Sequence, residues 1–203
     1  MFSGIVEKLG RVVSVTKNPG KSALIKVAVG KLAKGVRVGD SVCVNGVCLT
    51  VTGRSRGVVL FDAIEETLRV TNLGELRKGS RVDIERSIMP TDRIGGHFVT
   101  GHIDGVGKIM KIEKEVDASV KMWIESAPEF TGMMIRKGSV AVDGISLTLV
   151  DVAADRFSVC LIPHTLSVTT LGHKTEGDSV NLEVDMIGKY VRKYLEEMNT
   201  QFP

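Results

Sequence analysis

Apolar and polar residues alternate over most of this chain, in short runs separated by turn residues. Ile5 and Val6, then Val12, Val13 and Val15, read as a first strand ending at Asn18-Pro19-Gly20, and residues 23–29 read as a second. Beyond the connection 30–39 comes Ser41-Val42-Cys43-Val44-Asn45-Gly46-Val47-Cys48-Leu49-Thr50-Val51. An Asn-Gly pair between alternating residues predicts a two-residue hairpin, because both central positions of a type I′ turn take positive φ. The turn sets the register: Val44 faces Val47, Cys43 faces Cys48, Val42 faces Leu49 and Ser41 faces Thr50. Ser41, Cys43, Cys48 and Thr50 then share one small, reactive face, and Val42, Val44, Val47, Leu49 and Val51 share the core face. A strand over 58–63, a short helix over 65–73 ending at Gly74, and a strand over 81–85 complete the unit. Residues 86–93, with Pro90, read as a linker.

The order then repeats. Ser3-Gly4-Ile5-Val6 returns as Thr100-Gly101-His102-Ile103 at an offset of 97, while Ser41 and Ser139, Cys48 and Ser146, Thr50 and Thr148, Thr67 and Thr165 are each 98 apart. One residue is therefore inserted between the first strand and the hairpin. The second hairpin turns at Asp143-Gly144, pairing Ala141 with Ser146 and Ser139 with Thr148. The chain divides into 1–93, 94–185 and a tail 186–203. Many short strands with regular turn signals predict sandwiches or closed barrels. The expected fold is all-β: two tandem six-stranded, Greek-key-like β-barrels related by duplication, plus a C-terminal α-helix.

Only after Asp185 does the period change. Ile187, Val191, Tyr194, Leu195 and Met198 recur at helical spacing and make one stripe, leaving Lys189, Arg192 and Lys193 as its solvated side. A helix of about a dozen residues is marginal alone in water, so the stripe must be covered. Docking on its own barrel and bundling with copies from other subunits both satisfy that need.

Composition narrows the class. With 43% hydrophobic and 25% charged residues and no long apolar run, the chain reads as soluble and globular, with no membrane span. A formal charge of +3, from 27 basic and 24 acidic residues interspersed, and only 4% aromatic residues argue against a nucleic-acid partner. Cys43, Cys48 and Cys160, an odd set, do not form a disulfide framework, and with no signal segment the expected setting is the cytoplasm. His97 and His102 are five apart and point to opposite faces of an uninterrupted strand, so no metal site is expected. A Cys43–Cys48 disulfide is geometrically conceivable, but the compartment argues against it. Taken alone, Cys48 reads more readily as a small buried residue than as a nucleophile, and the glycines at 95, 96 and 101 need only permit a bend or a bulge. The recurrence of glycine, a Cys/Ser-Leu-Thr strand and a threonine at equivalent places favours a site where backbone and hydroxyl groups read the edge of a flat ligand.

These residues resemble a known family. Met-Phe-Ser-Gly-Ile-Val at the start, the Ser41 to Val51 hairpin, Thr71-Asn72-Leu73-Gly74, Gly95-Gly96-His97-Phe98-Val99-Thr100-Gly101-His102, Asp143-Gly144-Ile145-Ser146-Leu147-Thr148 and Ile162-Pro163-His164-Thr165 together look like the alpha-type riboflavin synthases, built of two lumazine-binding barrels. Ser3, where the family commonly has Thr, and Cys43 are departures. The resemblance implies dismutation of two 6,7-dimethyl-8-ribityllumazine molecules by transfer of a four-carbon unit, giving riboflavin and 5-amino-6-(ribitylamino)uracil, with no metal or redox cofactor. It implies a homotrimer in which the N-terminal barrel of one subunit meets the C-terminal barrel of its neighbour, and it admits lumazine synthase as a partner. By position, the N-barrel contacts would be Gly4, Ile5, Val6, Cys48, Leu49, Thr50, Asp62, Ala63, Ile64, Glu65, Glu66 and Thr67. The C-barrel contacts would be Gly101, His102, Ile103, Ser146, Leu147, Thr148, Cys160, Leu161, Ile162, Pro163, His164 and Thr165, with Lys137 reaching across from another subunit. Proton removal from one lumazine methyl and nucleophile addition to the other call for an imidazole and a thiol or hydroxyl. His102, oriented with Thr148, is the expected acid/base, and Cys48, with Ser41 nearby, the expected nucleophile or relay. A non-catalytic lumazine or flavin carrier of the same fold is the alternative. A flavin reductase barrel would need a glycine-rich nucleotide-binding partner domain, which the chain lacks.

Overall fold

The computed structural model describes residues 1–17 and 22–201, the side chains of 199–201 excepted. The expected turn at Asn18-Pro19-Gly20 lies outside the described residues. Strands β1 (Lys8–Lys17), β2 (Ala23–Ala28), β3 (Ser41–Val44), β4 (Val47–Ser55), β5 (Val58–Ala63) and β6 (Arg81–Arg86) close into an antiparallel barrel in the order β1-β2-β5-β4-β3-β6. Strands β7 (Gly105–Lys114), β8 (Val120–Glu125), β9 (Ser139–Val142), β10 (Ile145–Val152), β11 (Arg156–Leu161) and β12 (Ser179–Val184) close a second barrel in the same relative order. Closure leaves no unpaired edge on either sheet. The irregularities also repeat: β1 and β7 shift register at Val12/Ser14 and Ile109/Lys111, β4 and β10 at Val51/Gly53 and Leu149/Asp151. Such bulges supply the local twist that lets short strands coil around a core.

The hairpin register agrees with the expectation at all four pairs, Ser41 to Thr50 through Val44 to Val47. Val42, Val44, Val47, Leu49 and Val51 enter the first core around Phe61, and Val140, Val142, Leu147 and Leu149 enter the second around Phe157. Each such buried side chain contributes about 1.5–3 kcal/mol of transfer free energy. The other, small and reactive hairpin face is covered in part, at Cys43. Cys43 is 2% exposed and packs with Phe2, Val99 and Ala141 where the barrels meet. Alternation reports one burial partner per face; it cannot see a second barrel docking on the outside.

Helix α1 (Glu65–Val70) is shorter than the 65–73 expectation. Thr71 leaves the helix with φ −134°, its hydroxyl donating to the Thr67 carbonyl at 2.6 Å and accepting from Leu73, and a 3₁₀ turn follows at Asn72–Glu75. Helices α2 (Pro128–Thr131) and α3 (Pro163–Val168) belong to the second barrel, and α4 (Met186–Gln201) ends the described chain.

Two segments exchange between the barrels. Phe2 pairs with Val99 at the centre, Val6 packs against the second core, and Ile103 packs against the first. Glu85 holds one segment, accepting from Ser3 N at 2.7 Å, Ser3 Oγ at 2.8 Å and Gly4 N at 3.0 Å. Glu183 holds the other through Thr100 N and Oγ1 at 2.7 Å and Gly101 N at 2.9 Å. A buried polar seam joins the barrels beside this crossing. Asn181 Nδ2 donates to the Asn45 carbonyl at 2.7 Å, Asn72 Nδ2 to Asp143 Oδ1 at 2.8 Å, and Thr170 donates through its amide and hydroxyl to the Asp83 carboxylate.

Candidate functional site

The exchange decides which expected site residues meet. Cys48 N donates to the Gly101 carbonyl at 2.9 Å, and Ser146 N donates to the Gly4 carbonyl at 2.8 Å. Gly101 (φ +82°) and Gly4 (φ +77°) sit in the left-handed region, and a Cβ on either would lie 2.5 Å from Cys48 Cβ or 2.6 Å from Ser146 Cβ. Only glycine allows so close an approach at that φ. The grouping read from position is thus corrected within the chain. The first candidate cleft is the crossing that sets the strand of Cys48, Leu49 and Thr50 against the segment of Gly101, His102 and Ile103; the second sets that of Ser146, Leu147 and Thr148 against Gly4, Ile5 and Val6. In a duplicated chain each copy's leading segment has the same sequence fit to either barrel, so position alone could not assign it.

Around the first cleft, Thr50 and Asp62 are exposed, Leu49 and Ala63 are buried, and Ile64, Glu65 and Glu66 stand exposed where α1 begins, with Thr67 half-buried. The Glu66 carboxylate is taken by Arg69, Nη2 to Oε1 at 2.6 Å. Around the second, Thr148, Cys160, Ile162, Pro163 and His164 are exposed, Leu161 is in the core and Thr165 is half-buried. Cys48 and Ser146 are half-buried, and His102 and Ile5, which follow the glycines their backbones bond to, are exposed. Ser41 is half-buried and lines a cavity of about 710 Å³ with Ser3, Ile5, Glu85 and Gly95, one that does not include Cys48. Lys137 is exposed with φ +67°, where the equivalent Gly39 has φ +93°. A non-glycine residue there carries backbone strain of about 1–3 kcal/mol, which marks the position as one where a side chain is worth having.

His102 and Thr148 do not meet in one chain. They belong to different clefts, and among the described residues no hydrogen bond joins them. The pairing made instead is one that sequence reasoning missed: His97 Nδ1 lies 2.7 Å from Ser146 Oγ. Burial lowers the His97 pKa, against the smaller opposing pull of Asp185 and Glu183, so the ring is neutral at neutral pH. Its Nε2 is buried without a partner. In the neutral ring, Nδ1 can take the Ser146 proton or donate to Oγ and free that proton for a ligand. Among the described residues the Cys48 thiol has no such partner, so the clefts differ in chemistry as well as in residue.

Helix α4 does not dock its stripe on its own barrel. Lys189 Nζ reaches Asp104 at 2.7 Å, Arg192 donates to the Glu129 carbonyl at 2.6 Å, and Gly188 lies against Met133. The side taken as solvated is therefore the side that holds the helix to its own barrel, apart from Lys193, which pairs with Glu197. Ile187, Tyr190, Val191, Tyr194 and Leu195 are left exposed.

The geometry has counterparts among known proteins. The Lumazine binding domain model matches residues 3–87 and again 100–185. The riboflavin synthase of Bacillus subtilis (strain 168) is 41% identical over 199 residues, covering 98% of this chain and 92% of that one. That of Bacillus amyloliquefaciens is 44% identical over 195 residues, covering 96% and 90%. The solved structure of LumP complexed with 6,7-dimethyl-8-(1'-D-ribityl) lumazine superposes with TM-score 0.81 at 27% identity, covering 91% of this chain and 99% of that one, and the LumP–riboflavin complex gives 0.82 at 28%. With both copies matched and near-full-length identity above 40% to named synthases, the chain belongs to the riboflavin synthase family of tandem lumazine-binding-domain proteins.

Proposed function

We propose that the chain converts two molecules of 6,7-dimethyl-8-ribityllumazine into riboflavin and 5-amino-6-(ribitylamino)uracil, as a transferase of a four-carbon unit. The observation that carries this reading is the pair of like-built but unequal clefts, one carrying Cys48 beside Gly101-His102 and the other Ser146 beside Gly4-Ile5. A dismutation needs two sites that recognise one molecule and treat it differently. His102 serves as acid/base and Cys48 as nucleophile or relay in the first cleft. In the second, Ser146 polarised by His97 acts on the other lumazine, and Thr148 completes His102 from a neighbouring chain.

The clefts face each other between chains. A homotrimer built on the exposed stripe of α4 brings the first cleft of one subunit to the second of its neighbour, with Lys137 reaching across. Holding two substrates in reacting geometry supplies about 7–11 kcal/mol of the barrier. The unpaired state of Cys43, Cys48 and Cys160 supports a cytoplasmic setting. Incubation with the lumazine as sole substrate tests the reading: riboflavin absorbance must appear. Lumazine bound without riboflavin formed would make the chain a carrier, the role that its likeness to LumP leaves as the second reading.

A further inference from the structure

We infer that Cys43 and Cys48 are a reversible thiol–disulfide pair that closes the first cleft under oxidation. The inference rests on the role proposed for Cys48. The two residues are directly opposite in the β3–β4 hairpin. In a two-residue hairpin the closing pair, Val44 and Val47, exchanges the ladder hydrogen bonds and the next pair does not. Cys48 N is accordingly spent outside the hairpin, on the Gly101 carbonyl at 2.9 Å. Residues in such a non-hydrogen-bonded pair have Cα atoms about 4.5 Å apart and side chains leaning toward each other. That separation falls at the short end of the about 4.4–6.8 Å that a disulfide spans. A bridge formed there is reached by solvent on its Cys48 side, which places it among the labile, easily reduced disulfides and not the structural ones.

The environments of the two thiols assign their roles. Cys48 is half-buried at the cleft and meets solvent oxidants first. Cys43 is sealed between the barrels against Phe2, Val99 and Ala141, and burial, reinforced by Glu85, pushes its thiol well above the usual cysteine range. A thiol so placed is inert to oxidants from solvent. Toward a sulfur held opposite it in the same strand pair, proximity offsets its low acidity.

The oxidant is a hydroperoxide. The Cys48 sulfur attacks one peroxide oxygen, the O–O bond breaks, and the departing hydroxide takes a proton to leave as water, giving the sulfenic acid. The Cys43 sulfur then attacks that sulfur, the S–S bond forms as the S–O bond breaks, and the second oxygen leaves as water with the Cys43 proton. In sum, two thiols and one hydrogen peroxide give one disulfide and two waters; a small dithiol reverses it. The second cleft has no such device, because Ala141 stands opposite Ser146. Oxidation therefore disables one site of a pair whose reaction needs both.

Mass analysis of the full-length protein after hydrogen peroxide treatment tests this directly. Residues 38–54 form one tryptic peptide holding both cysteines, and Cys160 falls in another. The expected result is a 38–54 peptide lighter by two hydrogen atoms and resistant to alkylation, with riboflavin formation lost in proportion and both restored by dithiothreitol. In Cys43→Ser and Cys43→Ala, with no resolving thiol, prolonged peroxide instead carries Cys48 on to the sulfinic and sulfonic acids, the peptide gains two or three oxygens, and the lost turnover is not recovered by dithiothreitol. A wild-type peptide that stays alkylatable, or that links to Cys160, overturns the inference without touching the proposed reaction. A disulfide that forms and leaves turnover unchanged overturns the switch as well, and removes Cys48 from the mechanism. The wild-type peptide mass decides the case even where a Cys43 variant fails to fold.

Discussion

Each cleft turns on one small nucleophilic side chain held against a crossing glycine, and the two differ in what stands beside it. Replacing Cys48 or His102 with Ala is expected to lower turnover about 10²-fold or more, read as steady-state riboflavin formation; near-normal rates would remove that residue from the chemistry. His97→Gln should leave lumazine KM nearly unchanged, lower kcat about tenfold or more, and abolish the acidic limb of the pH–rate profile. A merely structural His97 would move KM and stability and leave the limb in place. Cys48 and Ser146 were legible in the sequence because an Asn-Gly or Asp-Gly turn fixes their register. The role of His97 was not, because its partner is 49 residues away and the sequence offered it only as a metal ligand beside His102. At the seam, burial raises the Asp83 carboxyl to about 7, Thr170 partly opposing. The folded protein then holds a proton that the unfolded chain releases near the ordinary aspartate range. This group's contribution to stability therefore falls as pH rises from about 4 to 7, by up to about 4 kcal/mol. Thermal unfolding should give a steeper loss between about pH 4 and 7 in the wild type than in Asp83→Asn, which installs the residue present at the equivalent Asn181. Equal slopes would show that Asp83 ionises without cost.

Among the elements, the crossing segments do the most to shape the sites, and carboxylates at the ends of β6 and β12 hold them. Burial raises the Glu85 carboxyl above its ordinary range despite its donors from Ser3 and Gly4, so this clamp is bought with desolvation. Gly101→Ala is expected to destabilise by about 2 kcal/mol or more, from positive φ plus overlap with Cys48. Gly177→Ala, at φ +92° with open space around it, isolates the backbone cost of about 1 kcal/mol. Urea unfolding of both separates the close approach from the φ, and equal losses would deny the approach any weight. Strand positions and the hairpin register followed from alternation and turn chemistry, which act locally. The exchange of leading segments did not, because two similar copies offer each segment two similar docking places. Helix α4 shows the same divide: its period was readable, but its tethers to Asp104 and Glu129 are tertiary contacts that no period encodes.

For the whole molecule, duplication explains how one chain offers two versions of one cleft, and the uncovered α4 stripe is the surface on which the proposed trimer rests. Val191→Asp with Leu195→Asp should leave the barrels folded, dissociate the proposed trimer in sedimentation and abolish most riboflavin formation. A monomer with full turnover would place both substrates within one chain. The most direct test is complementation. One variant, Cys48→Ala with His102→Ala, carries a disabled first cleft; the other, Ser146→Ala with Thr148→Ala, carries a disabled second cleft. Each alone should make almost no riboflavin from the lumazine. Co-expressed, they should recover a measurable fraction of wild-type turnover, because some interfaces then join two intact clefts from different chains. Co-assembled trimers with no recovery would contradict a site shared between subunits.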